Sequence, residues 1–280
     1  MKVKSLILTG FGINCEVEMG AAYKNAGAET TVVHFNELIN GKYNLQDFDI
    51  LNFPGGFSFG DDIASGKVMA NKIKFKKNSD GKTFLEEIET FLADGKYILG
   101  VCNGFQMLTQ LGLLPGLSDD YEPQAVLMPN DSQQFEDRWV YCKINSDNSS
   151  PFLKGMDVLP LPVRHGEGKL VFKNDSILQK VIENNQIAMQ YCDSEGNITD
   201  AYPLNPNGSV MSIAAITDPS GQVLGMMPHP EAFLSFYNHP AWNSMKYHGK
   251  QLRREQTGQV IFDNIVNELK ERRIKKLPDS

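Results

Sequence analysis

Strand and helix signals alternate through the first half of this chain, and that order restricts the possible fold more than any other feature. Short apolar runs predict strands, and segments with helical periodicity follow them. Strands are predicted at 3–9, 30–35, 49–53 and 97–101, and helices at 16–25, 83–93 and 103–111. This alternation predicts a parallel central sheet with helices on both faces.

The second half of the chain has a different pattern that is richer in strands. Predicted strands lie at 138–144, 158–163, 209–217 and 222–227, and predicted helices at 176–185 and 260–273. The turn residues Asp218, Pro219, Ser220 and Gly221 separate the last two strands, which predicts a β-hairpin. We therefore expect a smaller antiparallel element beside the main sheet.

Two polar stretches fall outside these elements. Residues 70–81 are basic and polar, which predicts a surface loop or the end of a helix. Residues 236–256 are predicted to form an appended surface segment rather than core. A chain of 280 residues is long enough for one large α/β domain, so residues 1–280 are expected to form a single domain.

Charge and composition exclude several classes of protein. The net charge of −7 leaves no surplus of basic residues to neutralise phosphates, which argues against nucleic-acid binding. No stretch approaches the ~18 apolar residues of a membrane span, and the first strand begins without a signal-peptide cleavage pattern. The four cysteines are far apart and form no CxxC pair, so we expect a cytoplasmic protein without a disulfide framework.

Cys102 is the candidate nucleophile. It is the centre of the sequence GVCNG at 100–104, where a buried strand gives way to a helix. Glycines two positions before and after the central residue are the signature of a nucleophile elbow, a strained turn that projects the side chain above the sheet. A helix N-terminus at this point favours a thiolate. The other cysteines, Cys15, Cys142 and Cys192, are interpreted as buried structural residues.

His229 is the candidate proton shuttle, because a thiol nucleophile needs a base. It lies between Pro228 and Pro230, directly after a buried strand, and Glu231 follows. The two prolines stiffen the backbone, so that the imidazole and the carboxylate are presented together. The carboxylate is expected to orient the imidazole and to stabilise its protonated form.

Two glycine-containing segments are candidates for contact with a ligand. Gly55 and Gly56 follow the third strand, and consecutive glycines allow an exposed amide that could complete an oxyanion hole. His165 and Glu167 lie in the sequence HGEG at 165–168, which suggests a loop close to a ligand or partner. A simple turn explains either segment taken alone.

Two phosphate-binding motifs are nearly present and are rejected. The stretch at 60–68 has five residues where a P-loop has four, and it lacks the following Ser or Thr. Gly10 and Gly12 follow the first strand, but Cys15 stands where a dinucleotide fingerprint has Gly or Ala. The chain therefore has no predicted ATP site of its own.

Taken together, the motifs resemble those of the class I, triad-type glutamine amidotransferases. The shared segments are PGG at 54–56, GVCNGFQ at 100–106 and PHPE at 228–231. Further segments resemble the glutaminase subunits of phosphoribosylformylglycinamidine synthase: NCE at 14–16, PGGFSFGD at 54–61, HGEG at 165–168, ENNQIA at 183–188 and GMMPHPE at 225–231. The resemblance covers about residues 3–234 and the final helix.

The resemblance implies a flavodoxin-like amidotransferase fold and a role for each matching residue. Cys102 would be the nucleophile, His229 the general acid and base, and Glu231 its orienter. The amides of Gly56 and Asn103 would form the oxyanion hole, and Gly55 and Gln106 would shape the glutamine pocket. His165 and Glu167 would belong to a partner or channel loop. No metal is implied in this chain.

The resemblance also implies a partner. Glutamine would be hydrolysed to glutamate and ammonia, and the ammonia would pass to a synthetase that converts formylglycinamide ribonucleotide to formylglycinamidine ribonucleotide in purine biosynthesis. ATP and Mg²⁺ would be bound by that synthetase, and the complex could include a small accessory subunit. The residues alone leave two alternatives open: another cysteine amidase or peptidase of similar fold, and a non-catalytic assembly subunit.

Overall fold

The computed structural model describes residues 2–58, 66–78 and 80–275. Phe59, Gly60 and Asp61 of the PGGFSFGD segment, and most of the P-loop-like stretch at 60–68, lie outside the described residues. The strands are β1 (Lys4–Thr9), β2 (Glu29–His34), β3 (Ile50–Phe53), β4 (Tyr97–Val101), β5 (Ala125–Met128), β6 (Glu136–Ile144), β7 (Val158–His165), β8 (Lys169–Phe172), β9 (Ile187–Cys192), β10 (Ile213–Thr217) and β11 (Val223–Met226).

The helices within the same ranges alternate with the early strands and close the chain. They are α1 (Glu16–Asn25), α2 (Phe35–Ile39), α3 (Lys67–Phe75), α4 (Phe84–Ala93), α5 (Asn103–Gln110), α6 (Asp175–Glu183), α7 (Trp242–Tyr247) and α8 (Gln259–Lys275). Local chemistry fixes several of their ends. At α4, for example, Thr83 and Glu86 form a capping box that satisfies free amides at the helix start.

Nine of the described strands form one sheet, in the order β2-β1-β3-β4-β11-β10-β9-β6-β7. Along this order, each of the first five strands, β2, β1, β3, β4 and β11, is parallel to the next one in that group. From β11 onward, each strand is antiparallel to its neighbour, through β10, β9, β6 and β7. β5 and β8 form a separate antiparallel ribbon. The predicted fold class is confirmed, and the antiparallel element is mainly a continuation of the central sheet.

Helices cover both faces of the parallel half. In β4, a Cβ on Gly100 would lie 2.5 Å from Leu108 of α5, so this position faces α5. Tyr97 points to the other face, where the Arg272 guanidinium of α8 lies 5.1 Å from its ring centroid. All five residues of β4 are buried, as expected for a strand covered on both sides.

The structure corrects several predicted elements. The strand expected at 209–217 begins at Ile213, because residues 210–212 form a 3₁₀ turn in which Met211 has φ of +51°. Strands β5, β8 and β9 were not predicted. The polar stretch at 70–81 was expected to be a surface loop or the end of a helix, and it contains the end of α3.

The segment 236–256 lies at the surface, with α7 contributing no buried residue. Phe236 is its buried anchor, at 5% exposure. The sequence-based division into one domain with this appended segment stays a prediction. Among the described residues, no helix is long and apolar enough to cross a membrane.

Candidate active site

Four neighbouring parallel strands bring the candidate residues to one edge of the sheet. β1, β3, β4 and β11 lie side by side and point the same way, so their carboxyl ends meet there. The segments that follow these strands carry Cys15, Gly55 with Gly56, Cys102, and His229, in that order across the sheet. Residues distant in sequence therefore meet at a single place.

Cys102 occupies a strained turn between β4 and α5. Its φ of +50° and ψ of −107° are unusual for a residue with a side chain. Its backbone N–H donates to the Met226 carbonyl at 2.8 Å, which ties the elbow to the end of β11. The thiol is 6% exposed, and its Sγ lies 3.5 Å from the Arg164 carbonyl oxygen.

The glycines of the elbow are required by close packing. A Cβ on Gly104 would lie 1.8 Å from the Phe53 carbonyl oxygen at the end of β3. A Cβ on Gly100 would lie 2.8 Å from the Gly104 carbonyl oxygen. The helix start can approach the two strands only without these side chains, and this approach holds Cys102 in its turn.

His229 and Glu231 form a buried ion pair beside the elbow. The His229 Nδ1 atom lies 2.6 Å from Glu231 Oε1, and both side chains are almost fully buried. The His229 backbone N–H donates to the Pro162 carbonyl at 2.8 Å, which fixes the segment to β7. The imidazole is therefore held by a carboxylate on one side and by its own backbone anchor.

The charged form of His229 is favoured despite burial. Burial alone would lower its pKa, but the Glu231 carboxylate, the Cys102 thiol and a smaller contribution from Cys15 together raise that pKa well above its usual value. The geometry thus supports an imidazolium next to a sulfur nucleophile. Such a pair can store a proton and deliver it to a leaving group.

Gly56 and Asn103 lie where an oxyanion could be held. Gly56 has φ of +147° and forms an isolated bridge with Ile13. Two hydrogen bonds hold that bridge: the Asn14 N–H donates to the Gly55 carbonyl, and the Phe57 N–H donates to the Gly12 carbonyl. The Gly56 N–H takes part in neither bond. Asn103 begins α5, where first-turn amides point out of the helix end.

A small cavity opens above Cys102. Its volume is about 180 Å³, and it is lined by Gly56, Phe57, Cys102, Gln106, Phe135, Arg164, His165, Gly166 and Glu167. The Gln106 Nε2 donates to the Glu167 carbonyl at 2.6 Å, and its Oε1 accepts from Asn103 Nδ2 at 2.9 Å. Gln106 therefore joins the start of α5 to the loop at 165–168.

His165 is buried beneath this loop at 2% exposure. Its Nδ1 lies 3.1 Å from Asn130 Oδ1, which also accepts from the Gly168 N–H at 3.0 Å. The Asn130 Nδ2 donates to the carbonyls of His165 and Gln134, so both polar atoms of the Asn130 side chain make hydrogen bonds. Burial, with the nearby positive charge of His229, lowers the pKa of His165 to about 3, so the ring is neutral.

Gly55 gives the His229 imidazole its space. A Cβ at this position would lie 2.7 Å from His229 Cε1 and 3.2 Å from Cys15 Sγ. Any larger residue would displace the ring from its present place. This contact places Gly55 beside the imidazole, whereas its neighbour Gly56 lines the cavity.

Cys15 corrects the interpretation drawn from the sequence. It is half-buried at the start of α1, and its Sγ lies within 4.8 Å of ligand atoms of both His229 and Glu231. Cys142 and Cys192, by contrast, are fully buried on β6 and β9. The signal that could have found Cys15 was available, because it follows a strand whose carboxyl end reaches the same sheet edge.

A family model for the CobB/CobQ-like glutamine amidotransferase domain matches residues 2–267. The chain belongs to this family. The resemblance inferred from the motifs is thereby confirmed, and with it the class of enzyme, a glutamine amidotransferase. A thiol, an imidazole and a carboxylate, as Cys102, His229 and Glu231 supply, are the groups that amide cleavage by a thiol uses.

Individual relatives narrow the comparison. The chain is 43% identical over 268 residues to the phosphoribosylformylglycinamidine synthase subunit PurQ of Methanococcus maripaludis, covering 95% of this chain and 93% of the relative. It is 41% identical over 265 residues to the subunit of the same name from Dehalococcoides mccartyi, covering 95% and 97%. A solved structure of PurLQS from Thermotoga maritima matches with a TM-score of 0.69 and 26% identity, over 96% of this chain and 100% of that chain.

Proposed function

We propose that this chain is the glutaminase subunit of phosphoribosylformylglycinamidine synthase. It hydrolyses glutamine to glutamate and ammonia, and the ammonia is used by a partner synthetase that converts formylglycinamide ribonucleotide to formylglycinamidine ribonucleotide. The observation that carries the proposal is the buried His229–Glu231 pair beside Cys102, in a chain that is 43% and 41% identical to two PurQ subunits over 95% of its length.

In this proposal Cys102 is the nucleophile. Its Sγ attacks the carboxamide carbon of glutamine, and the carbonyl oxygen becomes an oxyanion that accepts hydrogen bonds from the amides of Gly56 and Asn103. His229 gives its proton to the departing nitrogen, so ammonia leaves and a glutamyl thioester remains. Glu231 holds the imidazole and balances its positive charge throughout.

Water completes the cycle. His229, now neutral, accepts a proton from a water molecule as the water oxygen attacks the thioester carbon. The carbon–sulfur bond breaks, glutamate is released, and the sulfur of Cys102 keeps the electron pair beside His229, which now holds the proton from water for the next cycle. The small volume of the cavity, about 180 Å³ against roughly 300–1,000 Å³ for drug-sized ligands, suits an amino acid substrate.

The walls of the cavity have distinct proposed roles. Gln106 and Gly55 shape the glutamine pocket, since Gln106 joins α5 to the 165–168 loop and Gly55 makes room for His229. Glu167 lines the mouth, where a docked partner or an ammonia path would meet it. His165 supports this loop from below rather than touching a partner, because it is buried.

The partner is a synthetase, and a small accessory subunit belongs to the same proposed complex. A solved relative described as PurLQS supports an assembly of this kind. ATP and Mg²⁺ are assigned to the synthetase, and this chain needs no cofactor of its own in the proposed reaction. The cytoplasmic location expected from the sequence is part of this proposal.

The proposal is tested with Cys102→Ala in the assembled complex. Glutamine-dependent amination of formylglycinamide ribonucleotide should fall by roughly 10³-fold or more, because no thiol remains to form the thioester. Amination with added ammonium salt should keep its rate, since the synthetase active site is untouched. Both rates are measured by formation of the amidine product.

Cys142→Ala is the matched control, because Cys142 is a buried thiol on β6 outside the cavity. It should retain glutamine-dependent amination. Glutamine use that survives Cys102→Ala would refute the assignment of the nucleophile. A complex that uses ammonia but never glutamine, even with the wild-type chain, would support a non-catalytic assembly role instead.

A further inference from the structure

The candidate active site contains a second thiol that the proposed reaction does not use. Cys15 Sγ, an imidazole nitrogen of His229 and a carboxylate oxygen of Glu231 all lie within 4.8 Å of one another. In this arrangement the Cys15 thiol donates to Asn14 Oδ1 at 3.3 Å. Three potential ligand atoms of different type thus face one small volume.

A second observation concerns one of these three residues. The Glu231 Oε2 atom is buried without a hydrogen-bond partner, and Glu231 is 2% exposed. Buried carboxylate oxygens normally accept hydrogen bonds, so this atom has unused capacity to bind a ligand.

Thiolate, imidazole and carboxylate together match the preferences of Zn²⁺. Its bonds to these ligands measure about 2.3, 2.0 and 2.1 Å, so ligand atoms of a tetrahedral site lie about 3.3–3.8 Å apart. The observed separations lie within 4.8 Å, so Cys15 needs a shift of at most about 1.5 Å, which rotation of its half-buried side chain can supply. The His229 Nδ1 and Glu231 Oε1 atoms, 2.6 Å apart, must separate by about 0.7 Å to bind one metal through these atoms. Hard cations such as Mg²⁺ would avoid the sulfur.

We propose that Cys15, His229 and Glu231 form an inhibitory site for a thiophilic divalent cation, with Zn²⁺ the best match. The metal would bind a lone pair of the His229 imidazole and the carboxylate of Glu231. The imidazole could then no longer exchange protons with the substrate. Amide cleavage would stop until the metal was removed. The regulatory consequence rests on the proposed function, whereas the binding itself does not.

One competing arrangement must be separated from this one. Cys102 also interacts with His229, and a metal held by Cys102 and His229 alone would inhibit in the same way. The two arrangements differ in which thiolate binds the metal. The decisive measurement must therefore report on the sulfur ligand rather than on activity.

Cobalt titration of the isolated chain supplies that measurement. Co²⁺ replaces Zn²⁺ in such sites, and a thiolate ligand gives a charge-transfer band in the near ultraviolet. We expect the band with the wild-type chain and with Cys102→Ser, and a loss of the band or at least a tenfold weaker binding with Cys15→Ser. Circular dichroism and thermal unfolding of each variant check that it is folded.

A second experiment uses only the wild-type chain, so its result does not depend on whether a variant folds. Alkylation with iodoacetamide, followed by mass spectrometry, should label Cys15 more slowly when Zn²⁺ is present, and a chelator should restore the rate. The proposal is overturned if Zn²⁺ leaves the labelling of Cys15 unchanged, or if the cobalt band survives in Cys15→Ser and disappears in Cys102→Ser. A lack of glutamine-dependent amination would refute the proposed function without affecting either result.

Discussion

Glu231 shows how much a single residue contributes at this site. It is a buried carboxylate with one oxygen 2.6 Å from the His229 imidazole, and burial of a lone charge would be costly. The charge is tolerated because the pair shares it, and the consequence is the raised pKa of His229. A neutral side chain of the same shape at position 231 should therefore separate two effects of Glu231: the orientation of the His229 imidazole and the stabilisation of its positive charge.

We predict that Glu231→Gln lowers the rate of glutamine-dependent amination by roughly 10²- to 10⁴-fold. The amide keeps the shape of the carboxylate but not its charge, so the pKa of His229 falls. The basic limb of the pH–rate profile should move to lower pH, because the imidazolium is lost earlier. The profile is measured with the assembled complex between mildly acidic and basic pH.

Glu195→Gln is the control for this change, because Glu195 is exposed in a loop after β9. It should leave the profile unaltered. A Glu231→Gln profile that superimposes on that of the wild type would show that Glu231 does not set the protonation of His229.

At the scale of elements, the site depends on how closely α5 approaches the ends of β3 and β4. Gly104 makes this approach possible, since a Cβ would lie 1.8 Å from the Phe53 carbonyl oxygen. The backbone atoms on both sides belong to regular elements and have little room to move. The elbow and the sheet are therefore one packed unit rather than a turn added to a scaffold.

We predict that Gly104→Ala lowers the free energy of unfolding by about 3 kcal/mol or more, because the new methyl group collides with main chain. Glutamine-dependent activity should fall with it, since Cys102 would be displaced. Urea unfolding followed by circular dichroism measures the change.

Gly20→Ala is a matched substitution within α1, where the new Cβ would make an ordinary contact of 3.6 Å with Ile7. It should leave stability unchanged or raise it by about 0.5–1 kcal/mol, as alanine is the better helix former. Equal effects of the two substitutions would contradict the packing argument at Gly104.

Sequence patterns anticipated the elements of the parallel half better than those of the antiparallel half. β4 and α1 were predicted with the observed bounds, because a continuous apolar run marks the strand and Gly27 marks the end of the helix. β8 and β9 were not predicted, since their pairing partners are distant in sequence. Spacing identified Cys102, His229 and Glu231 as candidates, whereas the proximity of Cys15 depends on the strand order, which spacing does not encode.

At the scale of the whole molecule, the loop at 165–168 connects the two halves of the sheet. It continues from β7 at the antiparallel edge, where the Arg164 carbonyl contacts Cys102, and its own Glu167 carbonyl accepts from Gln106 in the parallel half. The neutral ring of His165 anchors it, so the protonation of one residue affects the stability of the fold as well as of the site.

We predict that His165 makes the folded state less stable as pH falls from about 6.5 towards 3. In this window the unfolded chain binds a proton, while the folded chain does not because the pKa of His165 is lowered to about 3. Between pH 7 and pH 4.5 this one residue should remove about 2 kcal/mol of stability. His165→Gln, which has no titrating group, should lose less over the same range.

Urea unfolding of both proteins at the two pH values tests this prediction. Carboxylates shared by the two proteins contribute equally, so their effects cancel in the difference. Parallel losses of stability in wild type and His165→Gln would show that His165 is protonated without penalty in the folded state.

The carbonyl oxygens of Arg164 and Glu167 and the backbone of Gly56 supply main-chain atoms beside Cys102. Main-chain atoms are the same whichever side chain is attached to them. A compound that imitates glutamine and reacts with the thiol would therefore meet this part of the wall almost unchanged in every variant. A substitution that excludes such an antimetabolite should fall instead on the side chains of the same wall, such as Phe57 or Phe135.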